Sequence, residues 1–169
     1  MQVKQPLSIA TTGEEILTLI AEPVTVFDDA LQCLADNMLI TMHAANGVGI
    51  AAPQVFSPAA MFIMASHPND RYPAAPLMAA TVVINPRILS ASATVDHGDE
   101  GCLSIPEQRL SIWRHRQIEV QYQSLDGALQ QHTLSGFVAR IFQHEFDHLQ
   151  GITLLERVNM TAPNAEVIK

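Results

Sequence analysis

Two histidines spaced four residues apart near the end of the chain could bind one metal ion. They belong to the segment Gln143-His144-Glu145-Phe146-Asp147-His148, an H-E-x-x-H arrangement. On a helix, four residues advance the side chain by about 400°, so His144 and His148 project from one face about 6 Å apart along the axis. Glu145 follows His144 by about 100°, which places its carboxylate at the edge of the site. Glu145 is therefore the candidate general base, acting on water beside the ion.

The residues before this segment indicate that both histidines face the protein interior. Phe137 and Ile141 precede His144 by seven and three residues, so the histidines continue an apolar helical stripe. A single histidine on such a stripe is usually a satisfied core residue. Two buried histidines beside a glutamate need several partners to offset lost hydration, and a metal ion supplies them together. The spacing therefore favours a metal site over two core histidines.

A third candidate ligand is the thiol of Cys102, in the segment Glu100-Gly101-Cys102-Leu103-Ser104. The adjacent glycine and Pro106 indicate a turn that can present a thiolate to an ion. Cys33, the only other cysteine, lies in an apolar run and is predicted to be a packed core thiol. One pair of cysteines in a chain without an export signal indicates reduced thiols rather than a disulfide.

The composition of the whole chain restricts its class. With 169 residues and 48% hydrophobic residues, the chain is expected to form a single domain over residues 1–169 and not to be disordered. A net charge of −8 argues against nonspecific nucleic-acid binding. Because no segment approaches the length of a membrane span and the N-terminus lacks an apolar region, we expect a cytoplasmic protein without membrane contact.

Apolar periodicity and turn residues predict a fold in which strands precede a late helix. The predicted elements are a helix from Asp28 to about Ala45, strands at 61–64 and 81–84, a hairpin of 118–122 and 129–134, and a final helix capped by Ser135 that ends at Gly151. This order predicts the α+β class, with antiparallel β-sheets packed around the C-terminal helix that carries the H-E-x-x-H motif.

Three segments, in order, resemble the three signature motifs of the peptide deformylase family. These segments are residues 47–54 (Gly-Val-Gly-Ile-Ala-Ala-Pro-Gln), 100–104 and 143–151. The similarity extends from about Pro23 to about Glu156. It implies a hydrolase that removes the formyl group from the N-terminal formylmethionine of newly synthesised proteins and releases formate. The implied partners are N-formylmethionyl nascent peptides, with transient ribosome proximity, and a monomer would suffice.

The resemblance also implies a role for each motif residue. Cys102, His144 and His148 would bind the metal with water as the fourth ligand, and Fe²⁺ is the expected ion, with Ni²⁺, Co²⁺ or Zn²⁺ as substitutes. Glu145 would move the proton, and the Gln54 amide and the Leu103 N–H would donate to the developing oxyanion.

Several other residues are candidates for contact with the substrate, and most of them also have a purely structural alternative. Gly47 and Gly49 would lie along the peptide backbone, and an apolar wall for the methionine side chain would come from Val48, Phe137 and Ile141, each of which could equally be ordinary core. Glu100 would orient a ligand or the substrate, or would simply cap a turn. Arg109 would contact the peptide or pair with Glu107.

The sequence departs from the family pattern at two places, and two other functions are compatible with the H-E-x-x-H motif. Val55-Phe56 stands where many members have a glycine, and the 18 residues after Gly151 leave little room for the long helix that some members use to dock on the ribosome. A metallopeptidase would also use H-E-x-x-H, although it would need a third ligand downstream, where only Glu156 is available. A catalytically silent relative would bind formylated chains or use its metal only structurally.

Overall fold

The computed structural model describes residues 4–160. Three α-helices and seven β-strands are present in that part of the chain. They are α1 (Asp29–Ala44), β1 (Gly49–Ala51), β2 (Met61–Ser66), β3 (Met78–Ala91), β4 (Val95–Cys102), β5 (Ile105–His115), β6 (Gln117–Gln123), β7 (Leu129–Ser135), α2 (Gly136–Leu149) and α3 (Leu154–Arg157). The predicted α+β class with antiparallel sheets is confirmed. No helix of residues 4–160 is both long and apolar enough to cross a bilayer.

The strands form two antiparallel sheets that surround α2. Five strands pair in the order β1-β2-β3-β6-β7, and β4 and β5 form a separate two-stranded hairpin. The predicted hairpin of β6 and β7 is present, with Gln117 opposite Ser135 and Gln123 opposite Leu129. The helix α2 packs on the larger sheet and also contacts β5. Both sheets therefore border the helix that carries the two histidines.

The apolar face of α2 holds it against the larger sheet. Phe142 is fully buried and meets Phe62 of β2 edge to face, with ring centroids 5.1 Å apart. Burial of a side chain of this size stabilises the fold by about 2–3 kcal/mol, and the aromatic pair adds to that. The helix ends before Gly151, whose φ of 71° favours glycine. A Cβ there would lie 2.5 Å from the Thr18 carbonyl oxygen, so the same glycine also permits close packing.

A second hydrophobic cluster positions the chain that leads into β1. Asp28 begins α1 by accepting a hydrogen bond from the Leu31 N–H. Leu31, Met38 and Met42 then pack against the sheet in one buried cluster. The helix α1 therefore packs on the face of the sheet opposite α2, and the chain after it leads into β1, where Gly49 lies next to Glu145 of α2.

Two local expectations were wrong in detail. Ser135 stands at the start of α2, but its hydroxyl does not cap the helix and instead donates to the Gln117 side-chain oxygen. The strand that contains 81–84 does not stop before Pro86 but continues to Ala91. Asn85 takes a positive φ of 51° at that point, and its side chain bonds both the N–H and the carbonyl of Val24. A shift in register between Ile84 and Arg87 therefore accommodates the proline.

Candidate metal centre and active site

Three side chains from two elements converge at the end of the β4–β5 hairpin. His144 and His148 project from α2, and Cys102 is the last residue of β4. One ligating atom from each lies within 4.8 Å of the other two. The Cys102 Sγ is 3.4 Å from the His148 Nε2. One thiolate and two imidazoles at this spacing are a ligand set for a divalent transition metal with further positions open.

The orientation of His144 is fixed by Glu100, which lies two residues before Cys102 in β4. Glu100 Oε1 is 2.8 Å from the His144 Nδ1, which leaves Nε2 directed at the ligand cluster. Glu100 also accepts hydrogen bonds from Arg114 and Arg140. Burial works against the charge of Glu100, but the contacts with His144 and Arg114 outweigh it and hold the pKa of the carboxyl well below its usual range. Glu100 is therefore a permanent anion behind the ligand.

The same ion pairs continue to the far end of α2. Arg114 of β5 is buried and donates to Asp147 of α2 as well as to Glu100. Asp147 in turn accepts hydrogen bonds from Arg157 of α3. Arg114 thus joins the hairpin to the helix at Asp147, and Glu100, which Arg114 also bonds, joins the hairpin to the helix again at His144. A buried pair broken at one partner typically costs about 3–5 kcal/mol, so this network fixes the distance between Cys102 and the histidines.

The charges of the three ligands suit a bound cation. Burial disfavours the Cys102 thiolate, but the two imidazoles outweigh burial and lower the pKa of the thiol well below its usual range. Burial likewise disfavours charge on His144, yet its contacts with Cys102 and Glu100 raise its pKa well above the usual range. The thiolate therefore requires a neighbouring positive charge. A divalent ion at this position would replace the imidazole proton, so the donor set fits a metal.

Glu145 is buried beside the ligands, and its Oε2 has no hydrogen-bond partner among the described residues. Its side chain is 4% exposed. Burial raises the pKa of this carboxyl to about 7. Gly49 of β1 makes the position possible, because a Cβ on Gly49 would lie 2.2 Å from Glu145 Oε1. A carboxyl group in this environment can take up and release a proton near neutral pH.

Gln54 points its amide group into the same space. The 3-10 turn Ala52–Val55 places the residue, and its Oε1 accepts a hydrogen bond of 2.9 Å from the Ala51 N–H. This fixes Nε2 as the inward donor, 3.0 Å from Ser104 Oγ and 3.6 Å from Cys102 Sγ. Gln54 is therefore a preorganised N–H donor at the edge of the ligand cluster.

The structure brings most of the residues predicted from sequence to one cavity. Gly47, Gly49, Gln54, Glu100, Cys102, Leu103, Phe137, Ile141, His144 and Glu145 all line it. Val48 does not line this cavity and packs against the neighbouring core cluster instead. Arg109 lines an adjoining groove and makes no ion pair with Glu107 or any other carboxylate of residues 4–160.

Several residues of the site were missed from the sequence, and Arg71, which also lines the cavity, is one of them. Tyr72, from the loop between β2 and β3, packs on Phe137 at 4.7 Å and closes the apolar side of the cavity. Arg140 and Arg114 hold Glu100. Arg140 precedes His144 by one helical turn, and that spacing is the only local signal that would have found it. Nothing in the sequence around Arg114 or Tyr72 distinguishes them from surface residues.

Comparison with known proteins gives consistent matches over nearly the whole chain. The sequence model of the family described as polypeptide deformylase matches residues 6–164. The chain is 60% identical to peptide deformylase 2 of Shewanella oneidensis over 156 residues, which is 92% of this chain and 86% of that protein. It superposes on the Met-Ala-Ser-bound crystal structure of class I type b peptide deformylase from Acinetobacter baumannii with a TM-score of 0.90 and 47% identity, covering 92% of this chain and 99% of that one. The crystal structure of peptide deformylase from Thermotoga maritima gives a TM-score of 0.83 at 37% identity, with 92% and 99% covered.

Proposed function

The chain belongs to the polypeptide deformylase family, and we propose that the cavity around His144 is its catalytic centre. The chain is a metal-dependent amide hydrolase that removes the formyl group from nascent peptides. The observation that carries the proposal for the site is the buried, partnerless carboxylate oxygen of Glu145 beside three convergent metal ligands. A purely structural metal site would need neither this acid nor the inward amide of Gln54.

We assign the metal to Cys102, His144 and His148, with Fe²⁺ as the native ion and Ni²⁺, Co²⁺ or Zn²⁺ as substitutes. A bound divalent ion supplies Lewis-acid chemistry, since it lowers the pKa of water and polarises a carbonyl group. Mixed sulfur and nitrogen ligands are compatible with all four ions, so the preference for Fe²⁺ rests on family membership. The His148 Nδ1 is buried without a partner among the described residues, which leaves its Nε2 as the ligating atom.

Glu145 then carries the proton through the reaction. Its free Oε2 accepts a proton from the attacking water and returns it to the nitrogen of the departing amine. A pKa of about 7 in the buried site allows both transfers at neutral pH. The Gln54 Nε2–H and the Leu103 backbone N–H donate to the oxygen that becomes negative as the formyl carbon turns tetrahedral. Ser104 and the Ala51 N–H keep the amide of Gln54 turned the right way for this task.

The substrate is placed by the two glycines and the apolar wall of the cavity. Gly47 and Gly49 allow the peptide backbone to approach, while Phe137 and Ile141 face the methionine side chain. The Acinetobacter relative was crystallised with Met-Ala-Ser bound, a peptide that begins with methionine, and this supports a peptide-binding site in the same fold here. We further propose that residues 1–169 act as one cytoplasmic domain, as a monomer, on chains emerging from the ribosome, through transient proximity.

The test is formate release from formyl-Met-Ala-Ser by protein loaded anaerobically with Fe²⁺ or loaded with Ni²⁺. We expect turnover by the parent and a residual rate about 10²- to 10⁴-fold lower by Glu145→Ala that retains metal. Cys102→Ala should lose the metal itself, as measured by bound metal per chain. If the parent protein is folded and loaded with metal but releases no formate, the chain is a catalytically silent relative that only binds formylated chains. Cleavage of the Met-Ala bond would instead support a peptidase.

A further inference from the structure

A groove continues from the catalytic cavity along the β4–β5 hairpin. Its volume is about 380 Å³, and it shares Arg71, Gly101, Cys102 and Leu103 with the catalytic cavity. From there it extends over residues 105–109. An extended peptide advances about 3.3 Å per residue, so one that has its first residue in the cavity reaches this groove with the next two residues.

Two arginines without carboxylate partners line the groove. Eight of the nine Lys and Arg residues lie within residues 4–160, and five of these form ion pairs. The three that make none with residues 4–160 are Arg71, Arg87 and Arg109, and the first and third share this groove. The net charge of the chain is −8. On the described surface, this groove beside the active site is the one place where two guanidinium groups without carboxylate partners lie together and could bind an anion.

Tyr72 holds Arg109 in a defined position. Its ring packs on Phe137 at 4.7 Å, and the Arg109 guanidinium lies over the same ring at 5.0 Å from its centroid. Arg109 also donates to the Asp99 carbonyl oxygen at 3.3 Å. The Arg109 guanidinium is therefore held against the wall of the cavity, which reduces the entropy lost when it binds an anion. Arg71 precedes Tyr72 in the chain and lines the same groove.

We propose that this groove selects substrates with a carboxylate close behind the formyl-methionine, namely nascent chains with Asp or Glu at the second or third position. The inference rests on the proposed function. Guanidinium groups bind carboxylates through paired hydrogen bonds, and they do so more strongly than ammonium groups. Glu107 lines the same groove and partly offsets the positive charge. Removing it should therefore strengthen the preference.

The test compares amidated peptides of matched shape, formyl-Met-Ala-Glu-amide against formyl-Met-Ala-Gln-amide and formyl-Met-Glu-Ala-amide against formyl-Met-Gln-Ala-amide. Since exposed ion pairs contribute modestly, we expect kcat/KM to favour Glu by about three- to tenfold in at least one position. The preference should fall towards one when salt is raised to about 1 M. Arg71→Gln and Arg109→Gln should each reduce it, and Glu107→Gln should increase it. Arg87→Gln is the matched control, because Arg87 is equally unpaired but lines a different cavity.

Each other outcome has a distinct meaning. Equal rates within a factor of about two for Glu and Gln peptides would overturn the preference while the deformylase function stands. A preference for Glu that remains in the double variant Arg71→Gln/Arg109→Gln would also overturn the proposal, since another group would then bind the substrate carboxylate. Formyl-Met-Ala-Ala with a free carboxylate is compared with its amide in the same assay. If the free acid is favoured while the Glu and Gln amides react equally, the groove binds chain ends and not nascent chains, and the proposal is wrong. No formate from any peptide would refute the function itself.

Discussion

The substitution Gly49→Ala tests whether proton transfer by Glu145 depends on the position of its carboxyl group. The added Cβ would lie 2.2 Å from Glu145 Oε1, 2.7 Å from Cδ and 2.9 Å from Cγ. Ordinary contact lies at about 3.5 Å, so the carboxyl group must retreat by roughly 1 Å or more. A glutamate side chain can do this by changing rotamer, and the backbone of β1 need not move. The substitution should therefore cost little in folding stability.

The cost in catalysis should be much larger. A misplacement of about 1 Å at a reacting group can lower the rate about 10²-fold, which corresponds to roughly 2.7 kcal/mol of activation free energy. We expect kcat of Gly49→Ala to fall by about that factor, with bound metal unchanged, because none of Cys102, His144 and His148 lies among the nearest atoms to the new Cβ. The assay is formate release, with metal content and thermal unfolding measured on the same preparation.

A double-variant cycle isolates the cause. Glu145→Ala removes all three atoms that the new Cβ would meet, so Gly49→Ala should have almost no further effect on the residual rate in that background. An equal loss in both backgrounds would mean that Gly49 acts through the substrate backbone and not through Glu145. A kcat of Gly49→Ala within about threefold of the parent would refute the reasoning altogether.

Substitutions at three further positions test the site and the backbone near it. Gln54→Leu keeps the bulk but loses the inward N–H, so kcat should fall about 10²- to 10³-fold in formate release while bound metal stays constant. Glu100→Gln removes the carboxylate partner of the half-buried Arg140 and one of the two carboxylate partners of the buried Arg114. Urea unfolding should show a loss of about 3–5 kcal/mol together with weaker Ni²⁺ retention in competition with a chelator, and wild-type stability would contradict the network. Phe56 holds a φ of 63°, so Phe56→Gly should be more stable than Phe56→Ala by about 1 kcal/mol in thermal unfolding, since both lose the same ring and only glycine relieves the backbone; an equal or reversed order would show that no strain is stored there.

The parts of the site that sequence could predict are those set by short-range geometry. His144 and His148 are one helical turn apart, so their convergence follows from the helix alone. Cys102 lies 46 residues before His148 and 48 after Gln54, and only the tertiary fold brings its sulfur within 4 Å of a side-chain nitrogen of each. The resemblance to a family supplied those assignments, because spacing could not.

The parts that could not be predicted depend on pairing between elements. Arg114 alternates with its neighbours in β5 as any strand residue does, and its role arises because the strand brings it between Glu100 and Asp147. The full length of β3 could not be predicted for a different reason. Proline normally ends a central strand, and here the side chain of Asn85 replaces the missing pairing by bonding Val24. Both features are consequences of contacts more than 30 residues apart in sequence.

The charge of the required ion follows from the way the buried acids are paired. Glu100 and Asp147 are already neutralised by the guanidinium groups that bond them, namely those of Arg114, Arg140 and Arg157. Among the described residues, the Cys102 thiolate and the Glu145 carboxylate are then the two anions of the cavity without a guanidinium partner. Two uncompensated negative charges match one divalent cation. Such an ion would favour the charged form of Glu145, whose pKa is raised to about 7 mainly by burial, against the opposing effect of the two imidazoles. The arginine network thus keeps Glu100 and Asp147 from competing for the ion and leaves Glu145 as the acid that can exchange a proton beside it.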